Sequence, residues 1–309
     1  MRETIESTTV LLVAGKGGVG KSTVSVATAI AAAQLGRRTA IIELSPSPVV
    51  EALSASIAEG DAVLGSSAER LSIIHLRPEE VLVEYLEDHG MAVLGRRLIS
   101  TGVVSVIATA IPGIRELLVL AKTKQMERSG DFDTIILDAP ASGHLVTFLS
   151  SPKGLADIAS VGLLRSQAEE VTALLGDPSR SKVVMVTLAE ETPVSETIET
   201  VAKIAQLKTV AIGKVVINGL IQRPDISSQS AELLASLTSS SDEVNAYNYV
   251  SSRATMQSQS VAVLAHALSE ITSIELPFLF TTALTTNEAS TLARYLIDPS
   301  IRLGMPDVG

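Results

Sequence analysis

The chain is expected to fold as an α/β protein built on a mostly parallel central sheet with helices on both faces. Two observations carry that expectation. Short runs rich in Val and Ile recur at Val10–Ala14, Arg38–Leu44, Leu71–Leu76, Thr134–Leu137, Lys182–Thr187 and Val210–Ile217, and most lead through a loop into a helical pattern. The runs are continuously apolar rather than alternating, which marks strands covered on both faces and therefore parallel ones.

The elements follow in order. Val10–Ala14 opens directly into a glycine-rich turn, and the helical pattern Lys21–Leu35 that follows ends at Gly36, a usual helix stop. Residues 49–130 read as a mainly helical layer laid on the sheet. Within it, "PEEVLVEYLEDHG" starts with Pro and two acids as a helix N-terminus does, and a second helix follows Pro112-Gly113. The apolar run Val103–Ile111 reads as core, with a client-binding groove as the alternative. Ser227–Glu243 is serine-rich and reads as a surface excursion with a helical middle. No internal repeat divides the chain, so residues 1–309 are expected to form one domain.

Composition narrows the function classes. Of 309 residues, 46% are hydrophobic and 19% charged, a globular balance able to bury a full core. Four Phe, four Tyr and no Trp leave few rings for stacking on bases, and the net charge of -10 disfavours a phosphate-backbone partner, so no nucleic acid is expected. With no cysteine, disulfides, thiolate metal sites, iron–sulfur clusters and thiol nucleophiles are chemically excluded. The N-terminus has no apolar signal core, and no apolar run approaches the roughly 18 residues a membrane span needs. The C-terminal stretch is neither strongly basic nor strongly amphipathic, so stable membrane insertion is not expected and a cytoplasmic location is.

The informative turn is Gly15-Lys16-Gly17-Gly18-Val19-Gly20-Lys21-Ser22-Thr23. It satisfies G-x-x-x-x-G-K-[ST] between a strand and a helix, the context in which the pattern means phosphate binding. Glycines let successive backbone N–H groups converge on phosphate oxygens, and the helix N-terminus adds partial positive charge. Lys21 is expected at the β- and γ-phosphates of a nucleotide and the Ser22 hydroxyl on Mg²⁺. A second carboxylate candidate closes the strand of "DFDTIILDAPASGH": Asp138, at a strand end beside the turn, suits a Mg²⁺-bound water. Pro140 and Gly143 are expected in a loop able to respond to the γ-phosphate.

These stretches together carry a resemblance. G-K-G-G-V-G-K-S-T resembles the deviant phosphate loop of dimeric SIMIBI-class P-loop ATPases, which implies that ATP is sandwiched between two subunits and that Lys16 reaches the nucleotide held by its partner. "DAPASGHLVTFLSSP" resembles the switch segment of the arsenical-pump and tail-anchored-protein-targeting ATPases, the ArsA/GET family. "PGIRELLVLAKTKQ", "VTLAEETPVSETIETVAKI", "VVINGL" and "ELPFLF" resemble further family segments in the same order, from about residue 8 to 297. The resemblance implies adenine contacts from Asn218 and from the late loop at Pro277. Asn218 is otherwise a turn residue before Gly219.

The chain also departs from that family. The second strand there ends in an aspartate that orients the attacking water, whereas "IIELSPSP" places Ser45 at that position. Glu43, two residues earlier on the same strand face, has three roles open to it: orienting the water, helping to hold Mg²⁺, or capping the strand. Weak hydrolysis is the expectation, with Lys16, Glu43 and Asp138 as the catalytic set. Cysteine-borne arsenite or zinc is excluded. About 30 residues separate Pro152 from Lys182, short for the helical insertion of the targeting factors, which argues against direct carriage of tail anchors. The expected partners are a second copy or a paralogue, plus an unidentified client protein. The alternatives are a nucleotide-holding scaffold and, less well supported, a ParA/MinD-type positioning ATPase.

Overall fold

The computed structural model describes residues 1–88, 113–159, 162–222, 242–298 and 300–301. Seven strands, β1 (Val10–Gly15), β2 (Thr39–Glu43), β3 (Leu71–His75), β4 (Thr134–Ala141), β5 (Ser181–Leu188), β6 (Ala211–Leu220) and β7 (Ser273–Pro277), form one sheet in the order β3-β2-β4-β1-β5-β6-β7. Every pairing is parallel. The chain starts in the middle, winds outward through β2 and β3, returns to β4 beside β1, then crosses to β5, β6 and β7. That reversal of direction leaves the C-terminal ends of the central strands open, where ligands of α/β sheets bind.

Helices cover both faces because every central strand is apolar on both. One face packs against α1 (Arg2–Ser7), α2 (Lys21–Gln34), α3 (Pro48–Glu59) and, late in the chain, α10 (Thr286–Ile297). Its core holds Leu11, Val13, Ile41, Ile136, Val184 and Val216. The other face takes α4 (Pro78–Asp88), α5 (Ile114–Ser129), α6 (Ser142–Ile158), α7 (Leu163–Gly176), α8 (Glu191–Leu207) and α9 (Asp242–Ala267). Leu12, Ile42, Ile135, Leu137 and Met185 supply the sheet side of that core. With so few aromatic rings, the interior is aliphatic, and α2 shows the consequence. From Thr23 to Ala33 every residue is buried, five of them alanine, so the helix lies close to the sheet on one side and to α10 on the other.

All six expected strands are present, most with ends displaced by one residue, and the seventh, β7, was not anticipated. It is an edge strand of five residues with only Leu276 buried, so it lacks the continuous apolar run that marks the others. A second difference concerns the segment after Asp138. The expected loop at Pro140 and Gly143 is absent: β4 continues to Ala141 and α6 begins at Ser142. The pairing of β1 with β4 slips between Val13↔Asp138 and Gly15↔Ala141, so three steps on β4 match two on β1. Pro140, which has no N–H to give, sits in that irregularity. Val103–Ile111 and most of Ser227–Glu243 lie outside the described residues. Among the described residues, no helix is long and apolar enough to cross a membrane.

Ile136 is fully buried at the centre of the sheet. Ile136→Ala should lower unfolding stability by about 2–5 kcal/mol, a transfer plus cavity cost, with little change in the urea m-value. A loss below about 1 kcal/mol would show that the layer beneath α2 collapses around the gap.

Candidate functional site

The glycine-rich turn joins the C-terminal end of β1 to α2, and backbone constraints explain two of its glycines. Gly15 is the last residue of β1, and a Cβ there would lie 2.2 Å from the carbonyl oxygen of Val186 on β5. Gly20 is the N-cap of α2 at φ +88°, where a Cβ would stand 2.3 Å from Nδ2 of Asn218. Gly17 and Gly18 are exposed at the tip, while Val19 tucks inward at 2% exposure. No side chain caps α2 and no acid stands in its first turn, so the amide groups and positive end of the helix face the turn unopposed. Thr23 is buried in that first turn.

Beneath the turn sits Asp138. Ser22 donates from Oγ to Oδ2 at 2.6 Å and Ser25 donates to Oδ1 at 3.2 Å. Burial raises the carboxyl pKa, and the Ser22 hydroxyl, the Lys21 charge and the Ser25 hydroxyl oppose the rise. The predicted pair Ser22 and Asp138 is therefore brought together from residues 116 positions apart. Lys21 folds back over the turn and donates from Nζ to the Lys16 carbonyl at 3.2 Å.

Glu43 is one strand further out, in register with Asp138. Its side chain is about as buried as the core, and neither carboxylate oxygen has a well-aligned hydrogen-bond donor. Nδ1 of His75, at the end of β3, lies 2.9 Å from Oε2. Burial raises the Glu43 pKa most, with Asp138 adding to the rise, while His75 and the Ser47 backbone oppose it. Ser45 stands exposed in the bend after β2, carrying no carboxylate.

The far side of the turn is braced by β6, and β7 lies beyond it. Asn218 donates from Nδ2 to the Val19 carbonyl at 2.9 Å, so its amide supports the turn in addition to any base contact. Pro277 ends β7 opposite Leu220 of β6. Phe278 and Phe280 follow it, edge to face at 5.0 Å and 48% and 73% exposed. Lys16 does not point into free solvent. Its ammonium meets Glu196 of α8 at 2.6 Å, both side chains about 39% exposed. His75, Glu196 and Ser25 were not singled out from sequence. A lone His at a strand end and a Glu 180 residues from Lys16 carry no local pattern; Ser25, three residues after Ser22 on one helix face, was within reach of the helical period.

This geometry defines a P-loop α/β protein with a half-buried carboxylate under its phosphate turn. A family model described as anion-transporting ATPase, of the ArsA type, matches residues 8–161. ATPase BagA of Mycobacterium tuberculosis is 31% identical over 226 residues, covering 67% of this chain and 64% of that protein. ATPase GET3 of Chaetomium globosum is 32% identical over 160 residues, covering 51% and 47%. The get3 ATPase of Schizosaccharomyces japonicus is 30% identical over 142 residues, covering 46% and 43%. The chain belongs to the ArsA/GET-type ATPase family, and the match spans less than two thirds of the length of these relatives.

The raised Glu43 pKa has a stability consequence. The folded chain keeps this proton to a higher pH than the unfolded chain, whose carboxyl titrates near 4.5. The native state then binds more protons across that window, so stability falls as pH rises through it and the loss persists at neutral pH. Glu43→Gln should therefore be more stable than the wild type at pH 7, with the difference vanishing below the unfolded carboxyl's titration. Thermal unfolding across a pH series reads it, and a variant less stable at pH 7 would mean that His75 outweighs burial.

Proposed function

We propose that this chain is a Mg-ATP-dependent molecular switch that hydrolyses ATP slowly and works as a dimer. The observation that carries the reading is the Ser22–Asp138 hydrogen bond directly under a phosphate turn whose helix end is uncapped. A hydroxyl held by a half-buried carboxylate is the donor set a magnesium ion at a triphosphate uses. Among the described residues no group of three or more His, Asp or Glu could hold a metal by itself, which suits an ion shared with nucleotide oxygens. Ser22 would contact the ion directly and Asp138 would hold Ser22 and an ion-bound water. When bound, the ion neutralises charge on the β- and γ-phosphates.

The remaining work falls to the chain's own groups. The backbone of Gly17 to Lys21 cradles phosphate oxygens, and Lys21 leaves the Lys16 carbonyl to meet the terminal phosphates. Asn218 keeps the turn in shape through Val19 and, with Pro277, borders the base. Glu43 takes the water-orienting role that Ser45 cannot perform, and its two oxygens without aligned donors suit that role. Lys16 stands at the turn's outer edge, where it can exchange its own Glu196 for the phosphates bound by a second copy or a paralogue. Closure of such a dimer would expose or hide a surface for an unidentified client protein. The exposed Ser45 favours a second reading, a nucleotide-holding scaffold or one half of a mixed dimer whose other half carries the aspartate. We place the protein in the cytoplasm as one ATPase domain.

Lys16→Ala should bind Mg-ATP with near wild-type affinity yet lose ATP-driven association in sedimentation and most phosphate release. Glu196→Gln, which removes the competing partner, should associate at lower ATP concentration than the wild type. Dimerisation and turnover that ignore both substitutions would count against the shared site.

A further inference from the structure

Three titratable side chains lie in a row along one edge of the sheet. Glu43 is the in-register partner of Asp138 on β4 and of His75 on β3. Aligned residues of parallel strands place their side chains on the same face, so Asp138, Glu43 and His75 stand side by side, one strand spacing apart. That face is the one α2 covers, and the hydrogen bonds from Ser22 and Ser25 to Asp138 agree with it. The row is tied at its outer end by the backbone, where the Leu76 N–H donates to the Glu43 carbonyl at 2.9 Å.

The two carboxylates of the row differ. Asp138 accepts a hydroxyl on each oxygen, whereas the Glu43 side chain, 1% exposed, has His75 as the nearest charge partner among the described residues. His75 is 59% exposed. Ser47, at the N-cap of α3, is the nearby hydroxyl, and its Oγ is also buried without a partner. A buried carboxylate with no aligned donor is rare and calls for a specific reason. Without His75, a glutamate with three side-chain torsions would keep only the Ser47 backbone to favour one placement of its carboxylate.

We infer that His75 is a positioning residue: its Nδ1 fixes the Glu43 carboxylate beside Asp138 so that Glu43 can orient the water attacking the terminal phosphate. The inference rests on the reading of Glu43 as the water-orienting group in the proposed hydrolysis. In that step the water oxygen bonds to the γ-phosphorus and the bond from phosphorus to the bridging oxygen breaks. The electron pair leaves with ADP, and the water proton ends on inorganic phosphate. Glu43 orients and His75 acts only through it. The histidine thus completes from β3 a function that Ser45 on the β2 bend cannot supply.

His75→Ala should reduce kcat for phosphate release roughly tenfold or more while ATP affinity stays within about twofold, the pattern of lost alignment rather than lost binding. His75→Asn, whose amide nitrogen falls where Nδ1 does, should recover most of the rate. In a Glu43→Gln background, His75→Ala should cost nothing further, since the two act as one unit. The Nδ1 resonance of His75 in ¹⁵N-labelled protein should also shift on Glu43→Gln. A His75→Ala variant with wild-type kcat, a loss that persists in full in the Glu43→Gln background, or an unmoved resonance overturns the inference while leaving the switch intact. A wild type that binds ATP and releases no phosphate sinks the hydrolytic reading, and this inference with it.

Discussion

Asp138 holds a carboxylate where burial works against its charge, and the hydroxyls of Ser22 and Ser25 make that position tenable. Both come from the first turns of α2, so the hydrogen bonds tie the helix behind the phosphate turn to the strand beside it. The turn's geometry depends on that tie. Gly15 approaches the Val186 carbonyl too closely for any side chain, and Gly20 adopts a left-handed conformation against Asn218. Each neighbour of the turn is held by a different strand of the same sheet, so the turn inherits the sheet's rigidity.

The polar chemistry is confined to one edge of an otherwise aliphatic interior. Strand bodies from Val10 to Val13 and from Ile135 to Leu137 are fully buried hydrocarbon, while Asp138, Glu43 and His75 begin where those bodies end. Low local dielectric strengthens every interaction at that edge and penalises any group left unpaired. Glu43 is the clearest example of a residue placed against its own solvation, the kind of local conflict expected where function competes with stability.

Lys16 and Glu196 set the other boundary of the site. Both are partly exposed, so their ion pair contributes little to stability, and it can be exchanged at small cost. It also couples the turn to α8, which packs against α9 on the face opposite α2. α8 thus carries a contact from the turn to that face.

The central strands, the strand–turn–helix and the placement of Asp138 beside the turn were legible because each is a local pattern: a continuous apolar run, a glycine spacing, an acid at a strand end. β7 escaped because Ile274 and Leu276 alternate with Ser273 and Glu275 at a sheet edge, a weaker signal than a buried run. The segment after Asp138 was misread as a loop because Pro and Gly usually break strands, whereas here a register slip with β1 accommodates Pro140. The sequence by itself determined the fold class and the phosphate turn, since hydrophobic period and glycine spacing are properties of neighbouring residues. Only the tertiary structure decided that His75 faces Glu43, that Glu196 holds Lys16 and that Asn218 braces Val19, because side chains 32 to 199 positions apart meet only when the strand order of the sheet places them together.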